Sequence, residues 1–391
     1  MERKTSSLPN KSVNREKSKV LCIGTYLPEK IEHMLDDYSS AGNRFQLNLW
    51  KSLKKCGLDL VGCSFLGIPI SEDVLSLVYE EKMVSFGKLL YVEKQGNALA
   101  STVRFSHKVR LELKGCDYVI CYNVVYAWLF LPVLAKIKKK KSILVLADQS
   151  EESSYNNLAM RLYAKCQKKA IKSFDYVIGL SVRTKDLLKP SQSFLLMEGG
   201  IELPVYDFFK EKRDVDKEKT TFMYSGLLEK VTGVDLLLEA ISLCKNIGYR
   251  FVFSGKGSLA ENIMKASQND SRIIWKGNME YDDYLSCLKD ADVLVNPRNM
   301  NLPENKNNFP SKIMDFLATG KPIISTRFEG WEKFDKYIHF IDTDVDAILQ
   351  AFSDVAIFDS SSYDERRKFA KQFIWDIQAK RIVEQISPVK Q

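Results

Sequence analysis

Between Asn307 and Ser325 the chain reads NNFPSKIMDFLATGKPIIS, and helical spacing sorts these residues into two groups. Phe309, Ile313, Phe316 and Leu317 fall on one side, while Asn308, Lys312, Asp315 and Thr319 recur at intervals of three and four on another. Pro310 and Ser311 suit a helix start. Thr319-Gly320-Lys321-Pro322 supplies a stop ahead of Ile323-Ile324, which predicts a buried parallel strand. A helix fed by a strand presents its N-terminal amides at the sheet edge. With Ser311 and Lys312 in its first turn, that end suits a diphosphate. Asp315, one turn deeper, is placed to accept hydrogen bonds from a diol. The pattern alone is equally compatible with a solvated Lys312/Asp315 pair one turn apart.

The quoted residues resemble the C-terminal donor-site motif of the glycogen-synthase-like group of retaining nucleotide-sugar glycosyltransferases. The form is that of bacterial capsule, O-antigen and exopolysaccharide enzymes, with Phe309-Pro310-Ser311-Lys312 before an acid and Ala318-Thr319-Gly320-Lys321-Pro322 as the turn. The resemblance implies an α/β protein of the GT-B fold, two Rossmann-like domains facing a central cleft, with a nucleotide diphosphate sugar as donor substrate and no other cofactor. In that group two glutamates are separated by seven residues. Here the first position is Asn307 and the second Asp315. By resemblance Asp315 binds the donor ribose, and Asn307 hydrogen-bonds the transferred sugar without supplying a negative charge.

The same resemblance assigns other positions. Gly24, in the loop after the first strand, lies near donor phosphate and acceptor, and Gly226 opens the donor-domain loop. The group's diphosphate-binding arginine and lysine are replaced by Leu227 and Thr232, which leaves Lys230 as the nearby cation and shifts phosphate binding toward Lys312. Gly255 and Gly257 resemble the glycine turn near base and ribose, and Gly277 stands where relatives contact the nucleobase through the backbone. Arg298 follows a strand that ends at Asn296-Pro297. On the acceptor side, Tyr122 with Asn123 and Asp148 occupy strand ends that carry histidine or acidic residues in relatives. The leaving diphosphate is then expected to take the acceptor proton. Capping the helix over 151–172 is a structural alternative for Asp148.

These residues need a scaffold of alternating strands and helices. Val20–Ile23, Leu58–Phe65, Lys88–Glu93, Asp117–Tyr122, Ser142–Leu146, Tyr176–Gly179 and Phe194–Met197 read as strands of an acceptor-side domain over 20–205. Glu198-Gly199-Gly200-Ile201 marks its exit, where adjacent glycines permit positive φ and close backbone approach. A charged linker over 206–219 precedes a donor domain over 220–362. Tyr363–Ile386 reads as one long terminal helix, within a segment 363–391 that the resemblance sends back to the first domain. Residues 1–19 read as a flexible basic leader, whose following apolar run, Val20–Ile23, is too short for a signal peptide core.

A chain of 391 residues, 45% hydrophobic and 28% charged, carries enough apolar material for two domains. The net charge of +8 comes with no nucleic-acid module, so anionic small molecules and an anionic membrane surface are the better partners. Eight scattered cysteines and three histidines show no zinc spacing and suit a reducing cytosol. No carboxylate pair with DxD spacing sits at a credible strand end, so no obligatory metal is expected. VVYAWLFLPVLAKIKKKK, residues 124–141, is too short to span a bilayer. It reads either as a helix resting at a membrane interface through Trp128, Phe130, Leu131 and Leu134 or as a core helix with a lysine-rich end. The resemblance implies a retaining glycosyltransferase acting on a saccharide or lipid-linked saccharide, and these features add the expectation that it is cytoplasmic, peripherally membrane-associated and metal-independent. The alternatives are a nucleotide-sugar epimerase of the same plan and a catalytically weakened sugar-nucleotide or polysaccharide-binding protein.

Overall fold

The computed structural model describes residues 17–32, 34–35, 38–67, 71–80, 83–84, 87–93, 97–148, 157–211, 218–302, 305, 310–354 and 362–386. Asn307, Asn308 and Phe309 lie outside the described residues. In the first unit the order is β1 (Lys19–Gly24), α1 (Glu29–Glu32), α2 (Ser40–Lys55), β2 (Asp59–Leu66), α3 (Glu72–Glu80), β3 (Met83–Val84), β4 (Gly87–Glu93), α4 (Ala98–Leu113), β5 (Tyr118–Tyr122), α5 (Leu131–Ile137), β6 (Lys141–Leu146), α6 (Leu158–Ile171), β7 (Tyr176–Gly179) and β8 (Ser193–Leu196). The strands lie in the order β3-β4-β2-β1-β5-β6-β7-β8, parallel except for β3 against β4. β1 is flanked by β2 and β5 and is apolar and buried from Val20 to Ile23, as a strand covered on both faces must be. Val20 and Cys22 face a core closed by α2 and α3, whereas Leu21 and Ile23 face one closed by α4, α5 and α6.

The second unit comprises α7 (Leu203–Phe208), β9 (Thr220–Ser225), α8 (Val234–Leu243), β10 (Tyr249–Ser254), α9 (Ala260–Asn269), β11 (Ile273–Trp275), α10 (Tyr281–Asp290), β12 (Val293–Asn296), α11 (Lys312–Thr319), β13 (Ile323–Thr326), β14 (His339–Ile341), α12 (Val345–Asp354) and α13 (Ser362–Ala370). Its sheet is parallel, ordered β11-β10-β9-β12-β13-β14. The chain closes with α14 (Trp375–Ile386), which packs on α2 of the first unit: Phe45 and Trp375 meet edge to face at 4.8 Å, and Ser52 donates to Asp376 at 2.8 Å.

Four local expectations change. The terminal stretch is two helices, because Ile201 forms a parallel bridge with Ile374 and takes the backbone there out of helical pairing. The interfacial helix over 124–141 is instead a 3-10 turn at Tyr126–Trp128 followed by α5. Trp128 and Leu131 are fully buried, with the Trp128 ring 5.6 Å from Phe105 and its indole N–H donating to the Asn123 carbonyl at 2.9 Å. Asn157, not Asp148, caps α6 through the Ala159 amide. The start of the segment read as linker is packed structure, since Phe209 is buried in the core beneath α11.

Candidate functional site

The floor of the second unit is made by three strand-end loops stacked on one another. The Gly226 amide donates to the Ser254 carbonyl at 3.0 Å, and the Gly255 amide to Gly277 at 2.9 Å. Gly255 has φ +134°, and a Cβ there would lie 1.8 Å from the Gly226 carbonyl oxygen. A Cβ on Gly257 would meet the Leu228 oxygen at 2.4 Å. These two glycines therefore let backbone pack on backbone. Gly277, at φ +70°, has open space where a side chain would be. In the first unit, Gly24 makes room for Gln46, whose side-chain oxygen accepts from the Thr25 amide at 3.0 Å. The next two amides go to Ser64 and Asn43 at 2.9 Å each, so this loop's donors are already used within the protein.

Against the Gly226 loop lies Lys312, in the first turn of α11. Its ammonium is buried, makes no hydrogen bond among the described residues, and sits 4.1 Å over the Tyr224 ring. A Cβ on Gly226 would stand 3.1 Å from it, so the glycine admits the lysine tip. Burial, with Arg298 adding to it, pushes the Lys312 amine down to about 7. Arg298 is itself lowered by burial, offset by Tyr224 and by Asp148 of the first unit. A buried ammonium without an acceptor, beside a second cation, costs stability unless an anion completes it. Ser311 precedes the helix and makes no side-chain cap. Lys230 is exposed on a 3-10 turn. Thr232, where the group's lysine would stand, is buried with its hydroxyl donating within the loop.

Across the cleft, Asp148 is held by Asn123. The Asn123 side-chain oxygen accepts from the Ala147 and Asp148 amides at 2.8 and 3.1 Å. Asn123 adopts φ 55°, a left-handed conformation that asparagine tolerates better than most residues. Desolvation raises the Asp148 carboxyl above the ordinary range, while Asn123 and Arg298 pull it back.

Asp315 lies among groups that sequence reasoning missed. Tyr284 donates to it at 3.4 Å. Arg44, from α2 of the first unit, forms an ion pair with Glu202 and lies 3.4 Å over the Tyr281 ring. Burial pushes the Asp315 carboxyl up to about 6, with Arg44 and Tyr284 opposing the rise and Glu202 adding to it. Arg44 occupies the first turns of α2, the long helix between β1 and β2; that position was its only signal. Two further pairs join the units: Arg183 with Glu329 at 3.5 Å, and Lys333 with the buried Glu198. Among the described residues no three His, Cys, Asp or Glu side chains converge as metal ligands, and no helix is long and apolar enough to cross a membrane.

Comparisons with known proteins place this geometry in context. Residues 205–334 match the family model for glycosyl transferases group 1. The chain is 28% identical over 120 residues to a probable glycosyltransferase, WbjE, of Pseudomonas aeruginosa, covering 30% of this chain and 29% of that protein. It is 23% identical over 263 residues to the chitobiosyldiphosphodolichol beta-mannosyltransferase of Debaryomyces hansenii, covering 56% of this chain and 55% of that one. The matches thus span about a third and about half of these relatives. The Anabaena HepE structure, solved with UDP and glucose, superposes with a TM-score of 0.66 at 13% identity, over 95% of this chain and all of that one. The UDP-GlcNAc 2-epimerase of Neisseria meningitidis, bound to UDP-GlcNAc, superposes with a TM-score of 0.58 at 13% identity, over 94% and 99%. The fold is accordingly the GT-B α/β fold, in the form shared by glycosyltransferases and UDP-sugar epimerases.

Proposed function

We propose that the chain is a retaining, metal-independent glycosyltransferase that moves a sugar from a nucleotide diphosphate sugar to a saccharide or lipid-linked saccharide, at the cytoplasmic face of a membrane, in cell-surface glycan synthesis. The observation that carries this reading is the buried Lys312 ammonium, without a hydrogen-bond acceptor among the described residues, at the start of α11 beside Arg298. A diphosphate would satisfy both cations and return the proton to Lys312. The charge that develops on the departing diphosphate would meet groups already in place, which favours the transition state over the bound substrate. Asp315, three residues along the same helix, is the candidate acceptor of the ribose hydroxyls. Asp148, opposite Arg298 and held by Asn123, faces the acceptor side. Asn307 and Ser311 remain proposed contacts to the transferred sugar and the phosphate, and Gly226 and Gly277 line the donor floor.

Calorimetry with a panel of nucleotide diphosphates and nucleotide sugars tests this site. One nucleotide diphosphate should bind selectively to the wild type and be lost in Lys312→Ala and Asp315→Ala. Binding that survives both substitutions would remove the donor from α11. Donor turnover with no acceptor present would replace the transferase by an epimerase.

A further inference from the structure

α4, α5 and α6 cover one face of the first sheet and sit side by side over it. The α4 helix packs against the turn at Tyr126–Trp128, and Tyr163 and Gln167 of α6 both donate to the Val124 carbonyl just before that turn. Their inward positions form the core, but their outward positions are not ordinary solvent-facing residues. Leu99 and Val103 on α4, Val133 and Ile137 on α5, and Leu158 and Leu162 on α6 are all exposed, Leu158 by 82%. Eight of the sixteen large apolar side chains exposed among the described residues belong to these three helices, so the apolar exposure is concentrated rather than scattered.

Charge is concentrated in the same place. The three helices with the turns that close them, 98–114, 131–140 and 158–172, carry thirteen Lys and Arg and a single acid, Glu112. Of the chain's 58 basic and 50 acidic residues, 45 and 49 lie elsewhere, so the rest of the molecule is net negative. The +8 of the whole chain is a property of this one face.

The two features are ordered along the helices. Leu99, Val103, Leu158 and Leu162 lie in the first turns of α4 and α6, at the edge where the parallel strands end and where Asp148 follows β6. Most of the bases cluster toward the opposite ends, at 136–140 and 165–172.

We propose that the α4–α5–α6 face docks on an anionic lipid bilayer, with the apolar first turns of α4 and α6 entering the headgroup layer and the lysines lying over lipid phosphates. An acidic lipid surface fits because it offers both parts at once, hydrocarbon for the leucines and diffuse negative charge for the lysines. Docking in this way brings the Asp148 edge of the cleft to the membrane, where an acceptor anchored in lipid would be presented. The proposal deepens the lipid-linked acceptor named above, but the surface itself depends only on the three helices.

The test is co-sedimentation of the full chain with two kinds of vesicle: phosphatidylcholine alone, and equal parts of phosphatidylcholine and phosphatidylglycerol. Binding is expected to the second kind, weakening as salt is raised. Reversing Lys136, Lys139, Lys169 and Lys172 to Glu should reduce it more than tenfold. Leu158→Ser with Leu162→Ser should remove the part that resists salt. Calorimetric nucleotide binding that matches the wild type in both variants shows that they are folded. It also separates the two ideas, because vesicle binding needs no donor. Equal partitioning to both vesicle types, or unchanged partitioning of the variants, overturns the proposal. So does binding to duplex RNA that the lysine reversals abolish while vesicles fail to bind.

Discussion

The Arg44 guanidinium carbon lies 3.4 Å from the centre of the Tyr281 ring, although the two residues belong to different halves of the molecule. Its ion pair with Glu202 fixes the other edge of the guanidinium, and the stack leaves the arginine close enough to Asp315 to oppose that carboxyl's rise. Arg44→Ala should therefore raise the Asp315 pKa further above about 6. If the ionised carboxylate holds the ribose, the acid limb of nucleotide binding moves to higher pH in this variant, and Arg44→Lys restores part of the shift. A limb that stays in place would separate Arg44 from the donor.

Asp315 also makes a prediction without any ligand. Its folded-state pKa is raised, so its stabilising contribution is complete below the unfolded value of 3.8 and is lost as pH rises through about 6. Asp315→Asn removes the cost of ionising this buried group. The substitution should raise the melting temperature at pH 7.5, by at most about 3 kcal/mol in stability, and have little effect near pH 4. A penalty at both pH values would show that the amide disrupts Tyr284 or Arg44 instead.

Lys312 carries the opposite charge and a different pH dependence. Its amine is lowered from 10.5 to about 7, so the folded protein bears a buried ammonium below pH 7 and is relieved of it above. Between those two values the unfolded chain holds a proton that the folded one has lost, and stability rises with pH across the window. Lys312→Met should stabilise the protein by about 1–4 kcal/mol at pH 6 and by much less at pH 9. Diphosphate affinity in the wild type should follow the reverse course, falling as pH rises above 7, with proton uptake measurable as a buffer-dependent binding heat.

The strands and the glycine loops were legible because they depend on local pattern. The expected strand over Tyr176–Gly179 coincides with β7, and the stacked loops fall at Gly226, Gly255 and Gly277. What escaped sequence reasoning was set by contacts distant in the chain. No spacing marks Arg44 as the partner of Glu202, 158 residues away. The break before Trp375 comes from the bridge to Ile201, and the burial of Trp128 depends on Phe105 lying across it. The apolar length of 124–141 was correctly too short to span a bilayer, yet its periodicity could not distinguish a membrane-facing stripe from a core-facing one. The exposed apolar positions are spread over three helices, where no single segment displays them.

Gly199 and Gly200 were expected to share a role, and the structure divides it. Gly199 takes φ +121°, whereas Gly200 is where the Trp375 ring lies against the backbone. A Cβ on Gly200 would stand 2.2 Å from that ring, and neither side can yield without moving α14 off α2. Gly200→Ala should cost roughly 1–3 kcal/mol, as overpacking of a tight contact does. Trp375→Leu in the same chain should recover part of it, since the smaller side chain leaves space for the methyl. Equal melting temperatures for Gly200→Ala and the wild type would mean that α14 is not held by this contact.

Asn123 combines backbone conformation and hydrogen bonding at the one place where Asp148 is positioned. Its φ of 55° makes alanine unfavourable there, and its side-chain oxygen is the acceptor for two consecutive amides. Asn123→Gly keeps the conformation and deletes the side-chain amide, both its oxygen acceptor and the Nδ2 donor 3.5 Å from the Asp148 carboxylate, while Asn123→Ala loses the conformation as well. Alanine should therefore be the less stable variant by about 1 kcal/mol, the cost of the left-handed backbone. If Asp148 serves the acceptor side, both variants should raise the acceptor KM while leaving nucleotide binding intact, because the Lys312 cradle lies across the cleft. The glycine variant is the decisive one: a change in acceptor KM there, with stability near that of the wild type, assigns the Asn123 side chain to positioning Asp148 rather than to holding the fold.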